Sequence, residues 1–533
     1  MQTKILWGYC MKKGISIIIG LCIHLWVFAA TKVTIPNPDT WRNSELQKYV
    51  GQTIEFTTPF YVCNNYSGLE ISPRRIFHPT NQVLPSTSTT SEYSTLLSLN
   101  SEGRIKLSNA SGYHRMGERL HNLVVKVNST NSVSLDSCDW RGNTRAELEK
   151  GYDRAAVNML GEASIIVCCM NLEYYLAQSF GTGYGPDNYS EHQKQRAKVS
   201  KALAKINADL YGFVEIEQGQ AALAEIATDL TTNTGRQFSY IDDGGSVNGS
   251  YTKAGFVYCS EVLTPHFGLQ ENDDAGVAKR KKTQAFMEIA TGEKFLFSVN
   301  HFKAKSGKGA YGNDADQGDG QSQFNATRVR EAYSVLASYA EDCVFYNDSD
   351  ILIMGDLNAY AKEDPIMVLQ QGGMTDLHRA FHADSSYSYT YHGTAGYLDH
   401  ALCNSTLYPQ VTGMVAYHIN SDENDGYTYD KSNDASMFRC SDHDPVIVGL
   451  RLNQALSNLD VKINSYEVYF ENQIPCIRNA QGGHYYVYRV DGTVVQQAPI
   501  TTQVQEIDGL SKGLYILNIY GKGKCLQTKL IVR

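Results

Sequence analysis

Between about residue 160 and residue 452 the chain alternates apolar, strand-type runs with amphipathic helices. The strand "ASIIVCCMNLEY" is followed by the helix "SEHQKQRAKVSKALAKIN", and the strand "ADLYGFVEIE" by the helix "GQAALAEIATDLTTN". Later come "KFLFSVNHF" and "DILIMGDLNA", with the helix "NATRVREAYSVLASYAEDC" between them. Runs this apolar must be covered on both faces, so the pattern predicts an α/β domain whose sheets present loops at one end. At 533 residues there is room for two to four domains. With 42% hydrophobic and 19% charged residues the composition is that of an ordinary globular protein. A formal charge of −9 excludes a generic basic nucleic-acid coat. It leaves room for a local basic groove on an enzyme that acts on an anion.

The flanks have a different texture. Residues 31–150 show short β-type runs ("QTIEFTTPFYV", "RIKLSN", "NLVVKVN") divided by Ser-, Thr- and Asn-rich loops, which predicts a small all-β barrel of OB type. Such a barrel binds nucleic acid or sugar, or serves as a structural adaptor. Residues 453–533 are again β, with turns "DGTV" and "GLSKG", and suit a small sandwich of six or seven strands. At the N-terminus Lys12 and Lys13 precede the apolar run Ile15 to Phe28, closed by Ala29 and Ala30. Residues 1–30 therefore read as a secretory signal peptide, with Met11 as an alternative start and a membrane anchor as the competing reading. No stable membrane span is expected in the mature chain. An oxidising destination would permit disulfides, with Cys63–Cys138 and Cys476–Cys525 as the expected pairs and Cys168 and Cys169 as buried thiols.

The chemistry-bearing residues of the central segment fall at strand ends: Asn171, the pair Glu215 and Glu217, His301, Asp356 with Asn358, Asp399, and the triplet Asp442, His443 and Asp444. Taken alone, the glutamates read as a solvated strand face and the triplet as a polar corner. Asp356 and Asn358 resist that reading, because a carboxylate and an amide at the end of a buried strand are costly unless a cation or substrate meets them. Carboxylate oxygens with amide support suit a hard divalent cation, and histidines with carboxylate partners suit proton transfer near neutral pH.

The order Asn171, "VEIE", "VNHFKAK", "GDLNA", "YLDHALC", "SDHDPV" resembles the endonuclease/exonuclease/phosphatase (DNase I-like) family, and within it secreted bacterial nucleases. The resemblance implies a four-layer α/β sandwich and a metal-dependent phosphodiesterase that uses Mg²⁺ or Mn²⁺. In that scheme Asn171 and Glu215 lie on the metal side, with Glu217 the alternative, and Asp442 faces the metal. Asp356 and Asn358 orient the phosphate and the attacking water, His301 lies near the scissile phosphate, and Asp399 pairs with His443. The glutamate that partners the first histidine in DNase I has no evident counterpart. Arg280, Lys281, Lys282 and Arg328 are candidate phosphate contacts, with Arg330 a weaker one, and the loop "NDADQGDG" is a candidate calcium site. The ending "GLYILNIYGKGK…KLIVR" resembles type IX secretion sorting domains. The expected protein is thus secreted or surface-attached, with secretion machinery as a partner and nucleic acid as substrate, DNA ahead of RNA. The alternatives are a phospholipid-headgroup (sphingomyelinase-like) phosphoesterase and a non-catalytic surface-binding protein.

Overall fold

In the computed structural model, residues 30–66, 68–85, 92–142, 160–243, 250–271, 281–452, 467–471, 474–489, 494–521 and 524–532 are described. The expected signal segment and Arg280 lie outside the described residues.

The central domain is built on two six-stranded sheets. The first runs in the order Phe238–Tyr240, Thr252–Cys259, Leu210–Glu217, Ile165–Tyr175, Val446–Leu450, Val411–Ala416. The second runs Leu263–Glu271, Lys281–Glu288, Lys294–His301, Ile351–Asp356, Asp399–Cys403, Thr375–Asp376. The sheets meet face to face through Ile165, Val167, Leu210 and Val214 on one side and Phe295, Phe297, Val299, Leu352 and Met354 on the other. At Gly212 they come so close that a β-carbon would stand 2.5 Å from Val299. Helices Tyr189–Ile206 and Ala221–Thr234 cover the outer face of the first sheet, and Asn325–Tyr346 and Asp364–Gln371 that of the second. The result is four layers, with the central strands buried on both sides as their unbroken apolar runs require.

The N-terminal segment closes a ring of five strands. Phe60–Asn64 pairs with Glu70–Ser72, which pairs with Ile105–Ser108. Ser132–Arg141 follows in parallel, and Arg119–Ser129 completes the circle back to Phe60–Asn64. Cys63 and Cys138 are separate thiols rather than the expected disulfide, and burial pushes them to about 12 and about 11. This barrel meets the central domain through hydrogen-bonded polar groups: Thr80 Oγ1 donates to Glu363 (2.8 Å), and Tyr397 N to Asn81 (3.1 Å). The C-terminal segment forms a three-stranded and a four-stranded sheet around a shared core that includes Ile477, Tyr485, Val487 and Leu517. The side chain of Cys525, expected to pair with Cys476, lies outside the described residues. Among the described residues no helix is long and apolar enough to cross a membrane.

Candidate active site

Strand direction explains why residues far apart in sequence meet. Ile165–Tyr175 and Leu210–Glu217 are parallel, as are Lys294–His301 and Ile351–Asp356, so each pair ends at the same edge of its sheet. Asp399–Cys403 and Val446–Leu450 run the other way and begin at that edge. His301 is therefore the register partner of Asp356, and Asp356 that of Asp399. Ser441 Oγ ties the last segment in by donating to the carbonyl of Asn171 at 2.7 Å. Gly355 (φ +135°) allows the two central strands to close, because a β-carbon there would lie 1.9 Å from the carbonyl oxygen of Asn300.

The meeting point is the floor of a cleft of about 1140 Å³. His443 Nδ1 donates to Asp399 Oδ2 at 2.8 Å, and the same oxygen accepts from Ser388 Oγ at 2.7 Å. A carboxylate can only accept, so Nδ1 carries a hydrogen and Nε2 faces the cleft. Nε2 lies 3.9 Å from both Asp356 and Asp442, and His301 Nε2 stands 3.7 Å from Asp356 and from Glu215. Asp356 also accepts from Asn358 N (2.9 Å) and Asn171 Nδ2 (3.2 Å), while Asn358 Nδ2 donates to the carbonyl of Phe302. Burial opposes the imidazolium of His443, but Asp399, Asp442 and Asp356 outweigh it and hold the ring well above its usual value. Burial pushes the Asp356 carboxyl up to about 6 against the pull of His443, and burial with the neighbouring Asp442 pushes Glu173 to about 8.

A cation fits this set. Among the described residues neither Asp356 nor Asp442 has a lysine or arginine in ion-pair range, and burial raises the carboxyls of Asp356 and Glu173, with Asp442 adding to the rise at Glu173. No three His, Cys, Asp or Glu side chains among the described residues form a ready-made cage. Mg²⁺ does not need one, since it keeps several waters and takes one or two carboxylates. Glu215, Asp442 and the amide of Asn171 are the groups that would hold it. In chelator, Glu173 and Asp356 keep a proton in the folded chain where the unfolded chain has released it, so the melting temperature should rise as pH falls from about 8 towards 5. Saturating Mg²⁺ should flatten that slope. A chelated protein whose melting temperature falls steadily over this range would contradict the carboxylate crowding.

Several side chains take other roles than their charge suggested. Glu215 and Glu217 do not share a face, because Glu215 has φ +58° and bulges into the cleft. Glu217 instead accepts from the backbone N–H groups of Ala177, Gln178 and Ser179 and shapes that loop. Asp444 is a structural acceptor for Asn420 N, Ser421 N and His418. None of the described phosphate candidates lines the cleft. Lys282 pairs with Asp243 and Glu271, Lys281 is buried against the charge of Asp342, and neither reaches the cleft. Arg328 is fully buried and donates to the carbonyls of Lys303, Gln323 and Gln321. Arg330 turns to Asp314 and Thr327. In the "NDADQGDG" loop Asp314 caps the following helix through Thr327, and Asp316 and Asp319 close their own turns; among the described residues these acids form no cluster of three that could hold a metal ion.

The cleft adds residues the sequence did not single out. Lys303 and Lys308 line it, as do Glu173 and the stacked rings of Tyr174 and Tyr184 (4.8 Å). Lys303 was open to discovery, standing two residues beyond His301. Tyr389, whose ring stacks on His443 at 4.5 Å, and Ser388 carry no local signal.

Comparison with protein-family models and with curated proteins finds no match. Solved structures do resemble the chain. A mannosyl-6-phosphatase of Bacteroides thetaiotaomicron is 16% identical, covering 54% of this chain and 100% of its own at a TM-score of 0.35. An endonuclease/exonuclease/phosphatase family protein of the same organism is 15% identical over 55% of this chain and 96% of its own, with TM-score 0.35. D. rerio TDP2 complexed with single strand DNA product is 12% identical over 54% and 99%, with TM-score 0.36. At these identities and scores the likeness carries no argument, and the chemistry rests on the side chains described above.

Proposed function

We propose that the chain is a metal-dependent phosphodiesterase of the endonuclease/exonuclease/phosphatase type, secreted or surface-attached, that hydrolyses nucleic acid, DNA ahead of RNA. The observation that carries this reading is the buried line Asp399–His443–Asp356 opening on a cleft lined by acids, by Lys303 and Lys308 and by the paired rings of Tyr174 and Tyr184. Asp399, with Asp442 and Asp356, holds His443 as the imidazolium with its Nδ1–H on Asp399, so the Nε2–H can hand its proton to the leaving ester oxygen. Asp356 takes the proton of the attacking water as the new P–O bond forms and the ester P–O bond breaks. His301 and the ammonium groups of Lys303 and Lys308 bind the phosphoryl oxygens, and the tyrosine pair offers a face for a base. A divalent cation held by Glu215, Asn171 and Asp442 would supply Lewis-acid stabilisation of the charge developing on phosphorus-bound oxygen. The signal peptide, the OB-type reading of the barrel and a sorting role for the C-terminal domain complete the proposal.

The test is incubation of the protein with plasmid DNA, RNA and sphingomyelin, each with Mg²⁺ and with EDTA. Cleavage of DNA in Mg²⁺ only is expected. Hydrolysis of sphingomyelin with both nucleic acids left intact would overturn the substrate assignment.

A further inference from the structure

We propose that the N-terminal barrel is a positioning element for the Asp399–His443 pair, and that Arg75 is the residue through which it acts. The inference rests on the reading of that pair as the proton-transfer unit of the site.

Two independent features carry it. The first is a side-chain route. Arg75 lies just past the barrel strand Glu70–Ser72, and its two terminal nitrogens donate to Asp422 at 3.2–3.4 Å, an acid with no exposed side-chain surface. Its guanidinium sits 4.1 Å over the ring of Tyr387, and the Tyr387 hydroxyl donates to the same Asp422 at 2.8 Å. Arginine suits this place because one planar group can both fork to a carboxylate and stack on a ring. The next two residues along the chain reach the pair itself. Ser388 Oγ donates to Asp399, and the Tyr389 ring stacks on His443. The carbonyl of Ser388 also accepts from the backbone N–H of Asp444, the neighbour of His443.

The second feature is in the backbone. Tyr389–Tyr391 and Thr394–Gly396 form a sheet of two strands only, and an isolated two-stranded hairpin is marginal in water. The barrel segment that follows Arg75 adds a third element. Phe77 bridges to Ala395 in parallel, His78 N donates to the Ala395 carbonyl, and Ala395 N donates to the Ile76 carbonyl, both at 2.8 Å. The hairpin that holds Ser388 and Tyr389 against the pair is thus completed by the barrel. A barrel that only recognised substrate or carried the chain to a partner would have no need to grip this hairpin.

The experiment uses the full chain and compares Arg75→Ala with Arg75→Lys and with Thr80→Val. Thr80→Val weakens the same domain junction at Glu363 and removes the hydroxyl beside the His78 ring, while leaving the Arg75–Asp422–Tyr387 contacts and the backbone bonds to Ala395 in place. Arg75→Ala should lower kcat on plasmid DNA by roughly 10–100-fold, the usual effect of losing a residue that orients a site ligand, with KM unchanged. The downfield proton NMR signal of the His443 Nδ1–H should broaden or vanish. Arg75→Lys should recover part of both, and Thr80→Val should leave both as they are. If Arg75→Ala fails to fold, Tyr387→Phe, which removes the hydroxyl that meets Asp422 and Arg75 and keeps the ring, should reduce kcat several-fold at constant KM. The proposal falls if a folded Arg75→Ala, or Tyr387→Phe, keeps wild-type kcat and imidazole signal, or if Thr80→Val lowers kcat as far as Arg75→Ala. Should the wild-type protein cut no nucleic acid, the imidazole signal still decides the coupling while the substrate reading alone fails.

Discussion

His443→Ala should lower the initial rate of plasmid cleavage by roughly 10²–10⁴-fold at saturating Mg²⁺, the span that a positioned general acid or base contributes. The imidazole is the group in the cleft that both receives a hydrogen-bonded carboxylate behind it and presents a nitrogen in front. Without it the leaving oxygen must take its proton from water. KM for DNA should change little, because Lys303, Lys308 and the tyrosine pair keep their places along the cleft. Asp399→Asn provides the matching control. An amide has no charge to hold the imidazolium, so the ring turns neutral and becomes a poor proton donor, and kcat should fall nearly as far without loss of the ring. Plasmid nicking by His443→Ala at more than a tenth of the wild-type rate would remove His443 from the reaction. Rate and KM measured together separate this from weakened binding.

The central layers were legible because burial on both faces writes itself into the sequence as continuous apolar runs. "DILIMG" and "KFLFSV" are such runs, and each stops at a polar residue where the sheet ends. Asp356, His301, Asp399 and His443 could be found for the same reason: a polar group that closes a buried run has to face something other than the core. What periodicity cannot convey is departure from periodicity. Glu215 and Glu217 should share a face by alternation, yet the left-handed backbone at Glu215 sends one to the cleft and the other to a loop. Charge without partners misleads in a similar way. Lys282 and Arg328 look like phosphate ligands until Asp243 and three carbonyls are seen to occupy them, and those partners are set by the fold. Arg75 and Asp422 lie 347 positions apart, so nothing local could join the barrel to the site. The Cys63–Cys138 expectation failed on the same ground, since disulfide formation depends on a distance in space that spacing along the chain does not give.

Asp356→Asn should reduce kcat by a comparable roughly 10²–10⁴-fold while leaving the fold intact, because the charge of Asp356 serves the reaction and opposes stability. Only 2% of the residue is exposed, and burial has driven its carboxyl to about 6. At pH 8 the folded chain therefore holds an ionised group in a place that disfavours the ion, kept there by Asn358 N, Asn171 Nδ2 and the two histidines. Asparagine keeps nearly the same volume and an oxygen for Asn358 N, and removal of the buried charge offsets the one bond it loses from Asn171 Nδ2, but it cannot accept the proton of an attacking water. In chelator at pH 8 the variant should melt no lower than wild type, and its melting temperature should depend less on pH between 8 and 5. Asp356→Ala should be equally inactive but less stable, since it leaves the Asn358 and Asn171 donors unpaired. Activity close to wild type in Asp356→Asn would show that the water is deprotonated elsewhere. A marked loss of stability in that variant would show that the carboxylate is a structural anchor, and the site would then have to be rebuilt around His301 and Glu215.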